Sequence, residues 1–243
     1  MNDKIECLVL ARHKHNDRTD IVNVYGASRG FFSVAVPVSA TAAGRRRRAM
    51  LLPLSQIELT VRGKGFGELL RPSQMNVVCR HSTLYSDPYK IPVVFFLSEF
   101  LTRVLHDSPA DEGVWEYICR SLASFDKMTG RAAASFHLVF LSSLTAVLGI
   151  QPDITLSGEK DVYFDMRSGV YARGLPMHGD ILTGQEARLP ALLARLRYDS
   201  ASRWRISGTQ RTALLEGILR YYAIHYPGVE RLKSIDVLKD LFK

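Results

Sequence analysis

Cysteine is scarce in this 243-residue sequence, and no hydrophobic run is long enough to cross a bilayer. The three cysteines, Cys7, Cys79 and Cys119, are odd in number and far apart, so no disulfide framework or paired zinc site is predicted. The longest apolar run, residues 91–97, contains a proline and falls far short of the roughly 18 residues that a membrane span needs. Near the amino terminus only residues 7–11 are continuously apolar, so no signal peptide is expected. We therefore expect a soluble protein of a reducing, bacterial-type cytoplasm that has no membrane partner.

Sequence motifs of the common catalytic sites are also missing. The glycine-rich segment 63–67 lacks the spacing and the terminal Lys-Ser/Thr of a phosphate-binding loop. No G-x-S-x-G or H-E-x-x-H motif is present, and no carboxylate cluster has metal-binding spacing. His13 and His15 have the H-x-H spacing of some metal sites but lack a further ligand nearby, so we interpret them as surface residues. The sequence favours a binding protein over an enzyme, without catalytic residues, cofactor or metal.

The positive charge of the chain is concentrated in its first third. The net charge is +8, and residues 1–80 hold 13 lysines and arginines against 6 acidic residues, a balance of +7. Residues 81–243 hold 19 basic and 18 acidic residues, a balance of +1. Such an asymmetry predicts a basic module that binds a polyanion, joined to a nearly neutral module. The alternative is a basic surface that serves solubility alone.

The first 80 residues have the pattern of a small barrel. In residues 32–39 apolar and small or polar side chains alternate, which is typical of a half-buried strand, and Pro37 suggests an edge or a bulge. Similar short segments separated by turn residues occur at 5–14, 21–25, 54–62 and 68–79. Five short strands in about 80 residues predict an oligonucleotide-binding (OB) barrel, and an SH3-like barrel fits the same pattern.

The basic residues of this module fall mainly on the predicted connections between strands. The connection 40–48 is predicted to be a loop and ends in four consecutive arginines, whose guanidinium groups can each pair with phosphate oxygens. Phe66 lies between glycines and is a candidate for stacking on bases, although its ring could instead fold back over the barrel end. The arginine run could likewise be a solvated loop without a partner. The candidate DNA-binding residues are Lys14, Arg18, Arg29, Arg45, Arg46, Arg47, Arg48, Arg62, Lys64, Phe66 and Arg71.

From residue 88 onward the apolar residues recur every three or four positions, which indicates helices. The predicted helices cover about 93–105, 111–127, 136–148, 184–198, 207–225 and 233–242, and residues 153–180 are predicted to be irregular. Their apolar stripes are those of a bundle core. The fold class is therefore predicted to be α+β, with an amino-terminal five-stranded OB barrel at 1–80 followed by a helical bundle domain at 81–243.

Three segments in this order resemble the RecO family of bacterial DNA repair and recombination mediators. The first is LLPLSQIEL at residues 51–59, which follows the basic stretch. The second runs from FHLVFL at 136–141 to LGIQPD at 148–153, and the third joins YYAIHY at 221–226 to LKSIDVL at 232–238. Each segment alone is loosely specified, but the three together span most of the chain.

The resemblance implies a protein without enzymatic turnover that binds single- and double-stranded DNA and anneals complementary strands. It also implies binding to the acidic carboxy-terminal tail of single-strand-binding protein (SSB), and a role with RecR in loading the RecA recombinase onto SSB-coated strands. Such a protein is expected in the bacterial cytoplasm, at the nucleoid. An acidic, apolar-ended tail needs an apolar notch with cations at its rim, and four cations on or near the predicted helices are available for it: Arg103, Arg120, Lys127 and Arg131.

The chain departs from many members of that family in one respect. Those members carry two C-x-x-C pairs that form a structural zinc site after the second of these segments, whereas residues 153–171 of this chain contain no cysteine. We therefore predict no zinc. Two alternatives to the mediator are a nuclease-like enzyme that uses the basic barrel as a clamp, and an RNA-binding accessory factor.

Overall fold

The computed structural model describes residues 2–62, 69–198 and 207–240. The chain divides into two compact units, a first unit of residues 1–126 and a second unit of residues 127–243. In the part of the chain that is described, no helix is long and apolar enough to cross a membrane.

The first unit is built on a five-stranded antiparallel sheet, as the alternating pattern predicts. Its strands are β1 (Asn2–Asn16), β2 (Thr19–Gly26), β3 (Gly30–Pro37), β4 (Gln56–Arg62) and β5 (Pro72–Cys79), in the order β3-β2-β1-β4-β5. A parallel bridge between Val34 and Leu70 joins the two edges at one point, where the N–H of Ala35 donates to the carbonyl of Leu70 at 2.8 Å. This curled, partly open sheet agrees with the predicted OB-type barrel.

One face of this sheet forms the apolar core of the first unit. Strand β1 is long enough to pair with β4 through its first half and with β2 through its second half. Alternate residues along the strands are buried together, which is the period-two burial that the sequence pattern indicates. Twelve buried residues make up this core: Ile5, Cys7, Val9, Val22, Val24, Val34, Val36, Leu51, Ile57, Leu59, Val61 and Leu70.

The connection that carries the four arginines is a helix, and its prediction as a loop was wrong. Helix α1 (Ala42–Met50) begins after Thr41, whose side-chain oxygen accepts a hydrogen bond from the N–H of Gly44 at 3.2 Å. Threonine is a favourable N-cap residue, and arginine and alanine are good helix formers. Only Gly44 of the nine residues of α1 is buried, so the sequence of this helix shows no apolar stripe.

Two further helices pack within the first unit, which therefore extends beyond the predicted boundary at residue 80. These are α2 (Ile91–Val104) and α3, whose residues Glu112–Lys127 end at the limit of the unit. The hydroxyl of Ser98 on α2 donates to the carbonyl of Leu10 on β1. The hydroxyl of Tyr25 on β2 donates to the carbonyl of Pro109, in the connection between the two helices, at 3.2 Å.

A polar cluster ties the segment before α2 to the end of α3. The carboxylate of Asp126 accepts hydrogen bonds from the N–H and hydroxyl groups of both Ser82 and Thr83. Its partial burial raises the pKa of Asp126, but these four hydrogen bonds outweigh that effect and hold the pKa well below the ordinary value. The ammonium of Lys90, a fully buried residue, donates to the Thr83 hydroxyl and to the Asp126 carbonyl at 2.5 and 2.9 Å.

The second unit combines helices with a small sheet. Its helices are α4 (Gly130–Val147), α5 (Leu189–Ala194), α6 (Gly208–His225) and α7 (Ser234–Asp240), and short 3-10 turns precede α5 and α7. Helix α6 begins at Ser207, as predicted, with a reciprocal capping box between Ser207 and Gln210. Helix α5 is shorter than the predicted helix at 184–198 because its first turn is a 3-10 turn and it ends at Ala194.

The segment predicted to be irregular, 153–180, supplies two strands of a three-stranded sheet, and the third strand follows it directly. Strands β6 (Tyr163–Asp165), β7 (Val170–Ala172) and β8 (Ile181–Leu182) pair in the order β7-β6-β8. They pack Phe164, Tyr171 and Leu182 against Tyr221 of α6. Strands of two or three residues are too short to show a period of two, so the sequence pattern could not reveal them.

Candidate nucleic-acid interface

The hairpin of β1 and β2 carries the first group of predicted contacts. Residues 12–18 are exposed, and β1 continues to Asn16, beyond the end of the strand predicted at 5–14, so the turn is limited to Asp17 and Arg18. The ammonium of Lys14 pairs with the carboxylate of Asp17 at 2.8 Å. The N–H of Arg18 donates to the side-chain oxygen of Asn16 at 2.9 Å, which fixes the turn.

Helix α1 lies beside this hairpin tip because the end of β3 is bonded to the turn. The N–H of Val38 donates to the carbonyl of Arg18 at 2.9 Å. The next residues, Ser39 and Ala40, lead into the helix, and their carbonyls accept hydrogen bonds from two of its arginine side chains. Arg45 donates to Ala40 at 2.6 Å, and Arg48 donates to Ser39 at 3.0 Å.

The other two arginines of α1 are exposed cations without a protein anion. Within the described residues, Arg46 and Arg47 make no hydrogen bond or ion pair through their side chains. Four guanidinium charges on one nine-residue helix repel one another, and a bound anion relieves that repulsion. The closely spaced charges of α1 therefore favour binding of a polyanion that can contact several arginines at once.

Arg71 joins the same region through the bridge between the sheet edges. It follows Leu70, whose carbonyl is bonded to Ala35 two residues before the end of β3, and its side chain is exposed. The structure thus brings together seven of the predicted residues, which we call the basic surface: Lys14, Arg18, Arg45, Arg46, Arg47, Arg48 and Arg71.

Arg29 does not belong to the basic surface. It lies in the turn between Gly26 and Gly30, at the opposite end of β2 and β3 from Arg18. Seven residue steps of extended chain separate the two ends, which is about 24 Å. Its guanidinium lies over the ring of Phe32, 5.4 Å from the centroid, and this cation–π contact gives it a structural role.

Three predicted contacts are not placed by the structure. Arg62 is the last residue of β4, where its backbone pairs with Asn2, and its side chain is not described. Lys64 and Phe66 lie outside the described residues. Stacking by Phe66 remains a prediction.

A second concentration of arginine occurs in the second unit, and the sequence analysis missed it. Residues 188–220 contain seven arginines, no lysine and two acidic residues, a balance of +5. The net charge of residues 81–243 does not reveal this balance, because residues 81–187 carry 8 basic and 13 acidic residues, which offset it. Within the described residues, Arg188, Arg195 and Arg220 are exposed and make no ion pair. A charge profile over a shorter window would have found this segment.

An apolar cavity of about 210 Å³ is lined by residues that neighbour these arginines in the sequence. Its apolar lining includes Phe164, Met166, Leu182, Leu193 and Ile218, and Arg197 contributes a cation. The hydroxyls of Ser142, Ser143 and Thr145 come from α4 on another side. The cavity can therefore accept an apolar group whose neighbours carry negative charge. The cavity is not lined by Arg103, Arg120 or Lys127, which were candidates for the rim of such a notch.

The described residues hold no cluster of three or more histidine, cysteine, aspartate or glutamate side chains that could bind a metal ion. The small sheet lies in the part of the chain where the resemblance noted above implied two C-x-x-C pairs, and its residues include no cysteine, so they do not fit a zinc ion.

Comparison with known proteins gives one consistent result. A family model described as "Recombination protein O C terminal" matches residues 85–235. The DNA repair protein RecO of Phocaeicola vulgatus is 31% identical over 242 residues, and the alignment covers 100% of both chains. The DNA repair protein RecO of Bacteroides fragilis is 30% identical over 243 residues with the same coverage. That of Porphyromonas gingivalis is 28% identical over 238 residues, 97% of each chain.

Proposed function

Since this chain belongs to the RecO family of DNA repair and recombination proteins, we propose that it is a recombination mediator that binds single- and double-stranded DNA and anneals complementary strands. It performs this role without a catalytic site. The observation that carries the proposal is the basic surface, where the Val38–Arg18 hydrogen bond places the hairpin tip next to the arginine helix.

The basic surface has the chemistry of a phosphate-binding site. Its seven cations belong to a hairpin, a helix and a strand end that the fold holds together. Two acidic residues lie near Lys14: the exposed Asp17, and the buried Asp20 across the β1–β2 ladder. Guanidinium groups contact phosphates bidentately, and each contact releases counterions from the nucleic acid. Such contacts do not read the base sequence, which suits a protein that must act on any strand.

Annealing follows from the same contacts. Two complementary strands repel each other through their phosphates, and a basic surface lowers that repulsion by neutralising part of the charge. Contacts to phosphates leave the base edges free to pair. No covalent bond is made or broken when two strands anneal, so annealing requires neither ATP nor a metal ion.

We also propose that the second unit binds the acidic carboxy-terminal tail of SSB in the cavity between α4, α5 and α6. The apolar end of the tail enters the cavity, and its acidic residues pair with Arg197 and with the exposed arginines around it. Bound to SSB-coated DNA in this way, the protein acts with RecR to help load RecA. These partners are part of the proposal.

Strand annealing on SSB-coated oligonucleotides tests the proposal. We expect the chain to accelerate pairing of complementary SSB-coated strands, and to lose that activity when Arg45 to Arg48 are all replaced by alanine. The double variant Arg103→Ala/Arg120→Ala is the control, because both arginines are exposed in the first unit but lie outside the basic surface. Equal rates with and without the protein would overturn the proposal.

Two further assays separate the two other functional classes. Cleavage of labelled DNA in the presence of magnesium or manganese would indicate a nuclease. Stronger binding to an RNA oligomer than to DNA of the same sequence would indicate an RNA-binding factor. The mediator proposal predicts intact DNA and no preference for RNA.

A further inference from the structure

Two aromatic side chains of the first unit, which we call the exposed rings, face the solvent at the start of α2. Tyr89 precedes the helix by two residues and is 55% exposed, and Phe95, in its second turn, is 54% exposed. Every other phenylalanine, tyrosine or tryptophan that the structure describes is buried or half-buried. Single exposed apolar residues are ordinary on a protein surface, but here the exposed aromatic residues of the described chain fall within seven positions.

Helix α2 is bonded to β1, the strand that carries Lys14 of the basic surface. The hydroxyl of Ser98 donates to the carbonyl of Leu10, and Phe95 lies one helical turn before Ser98. Lys14 lies four residues beyond Leu10, which is about 13 Å of extended strand, so the main chains at Phe95 and Lys14 are at most roughly 25 Å apart. A stacked single strand advances about 3.4 Å per nucleotide, so about seven nucleotides span this distance. One OB fold binds about 4–16 nucleotides, so a single strand can reach both sites.

Contacts beyond the carboxy-terminal end of α2 show which way the helix runs. The carbonyl of Ser108 accepts a hydrogen bond from the N–H of Phe31 at 3.0 Å. The carbonyl of Pro109 accepts one from the hydroxyl of Tyr25 at 3.2 Å. Phe31 and Tyr25 are paired beside the β2–β3 turn, at the end of these strands opposite to the hairpin tip. Helix α2 therefore runs away from the hairpin tip, and its first turns, with the exposed rings, are its part nearest to that tip.

The turn before α2 is bonded to the segment that follows the arginine helix. The hydroxyl of Tyr85 donates to the carbonyl of Pro53 at 2.9 Å and lies 3.2 Å from the hydroxyl of Ser55. Pro53 comes three residues after the end of α1, and Tyr89 comes four residues after Tyr85. Strand β1 and the segment after α1 are thus both hydrogen-bonded to the part of the chain that carries the exposed rings.

We propose that Tyr89 and Phe95 stack on the bases of single-stranded DNA whose phosphates are bound by the basic surface. This inference rests on the DNA binding proposed above and adds the residues that favour single strands. Arginines contact the phosphates of single strands and duplexes alike, whereas an exposed ring needs an unpaired base whose face is available. Stacking occupies the faces of the bases and leaves their edges free. A strand that is held in this way can therefore still pair with its complement.

Fluorescence anisotropy of the full-length protein with a labelled single strand, and with the duplex of the same sequence, tests this inference. We expect Tyr89→Ala and Phe95→Ala each to weaken binding to the single strand by about 5-fold or more, because one stacked base is lost. Binding to the duplex should stay as in the wild type. The salt dependence of single-strand binding should also stay unchanged, since no phosphate contact is removed. Phe95→Trp keeps a stacking ring and should retain the wild-type affinity.

Val78→Ala is the matched control, because Val78 is an aliphatic residue of the first unit that is 49% exposed. This variant should bind the single strand and the duplex as the wild type does. Wild-type affinity for the single strand in Tyr89→Ala/Phe95→Ala, or an equal loss for single strand and duplex, would overturn the inference. Loss of binding in the variant with Arg45 to Arg48 replaced would then still support the proposed function. Loss of RecR binding with unchanged DNA binding would assign the exposed rings to a protein contact instead.

Discussion

Val38 and Arg18 are joined by a main-chain hydrogen bond of 2.9 Å, and this bond sets the geometry of the basic surface. It holds the end of β3 against the β1–β2 turn, so the helix that begins four residues later starts beside the hairpin tip. Cations that are 27 or more positions apart in the sequence thereby lie in the same region of the first unit. The function proposed for this chain depends on that arrangement, and so do the predictions that follow.

The N-cap of α1 should matter for DNA binding although it carries no charge. Thr41→Ala removes the acceptor for the Gly44 N–H, which costs the helix about 0.5–2 kcal/mol. We expect the affinity for single-stranded DNA to fall because the arginines are held less firmly, while Thr41→Ser keeps the acceptor and the affinity. Fluorescence anisotropy with a labelled oligonucleotide measures both. Equal loss in the two variants would contradict a capping effect.

Asp126 should stabilise the first unit in a manner that depends on pH. Its pKa in the folded state lies below the value of about 3.9 in the unfolded state, so its contribution is complete above pH 4–5 and is lost as the pH falls through the folded-state pKa. Asp126→Asn should lower the free energy of unfolding by about 1–3 kcal/mol at pH 7. This difference should shrink below pH 4 in urea titrations. Asp17→Asn, an exposed control, should change stability little at any pH.

Arg197 should be required for binding of the SSB tail. Removing a cation that pairs with a carboxylate costs about 1.5–3 kcal/mol, which is roughly 10-fold or more in affinity. We expect this loss for Arg197→Ala with a labelled peptide that carries the acidic, apolar-ended SSB tail. Arg231→Ala removes an exposed arginine that pairs with Glu230 and should bind the peptide as the wild type does. Unchanged affinity in Arg197→Ala would place the tail elsewhere.

Annealing should be independent of metal ions and nucleotides. Three cysteines without a C-x-x-C pair cannot supply a four-ligand thiolate site, so no zinc should co-purify. The annealing rate should be the same in EDTA as in magnesium, and ATP should not change it. Elemental analysis that finds one zinc per chain, or a rate abolished by EDTA, would contradict this expectation.

The sequence was most informative where burial follows a simple period. The alternation in residues 32–39 predicted β3, and the spacing of Val93, Leu97 and Phe100 predicted α2, because one face of each element is buried. The family resemblance is confirmed as well. Helix α1 was not predicted because it has almost no buried face. Strands β6 to β8 were not predicted because each has only two or three residues.

The candidate site was predicted as a set of residues but not as an arrangement. The positions of the basic residues were evident from the sequence. Only the hydrogen bond between Val38 and Arg18 shows which of them lie together. Arg29 lies at the other end of β2 and β3 and is not among them. Long-range contacts of this kind leave no local trace in a single sequence.

The salt dependence of single-stranded DNA binding tests the central claim most directly. Each phosphate contact contributes about 0.7 to the slope of log K against log salt concentration. We expect Arg46→Ala/Arg47→Ala to reduce the slope by about 1.4, and replacement of all four arginines of α1 to reduce it by roughly 1.5–3. Arg103→Ala/Arg120→Ala changes the net charge by the same amount as the first variant and should keep the wild-type slope. A wild-type slope in the quadruple variant would show that the arginine helix does not contact DNA.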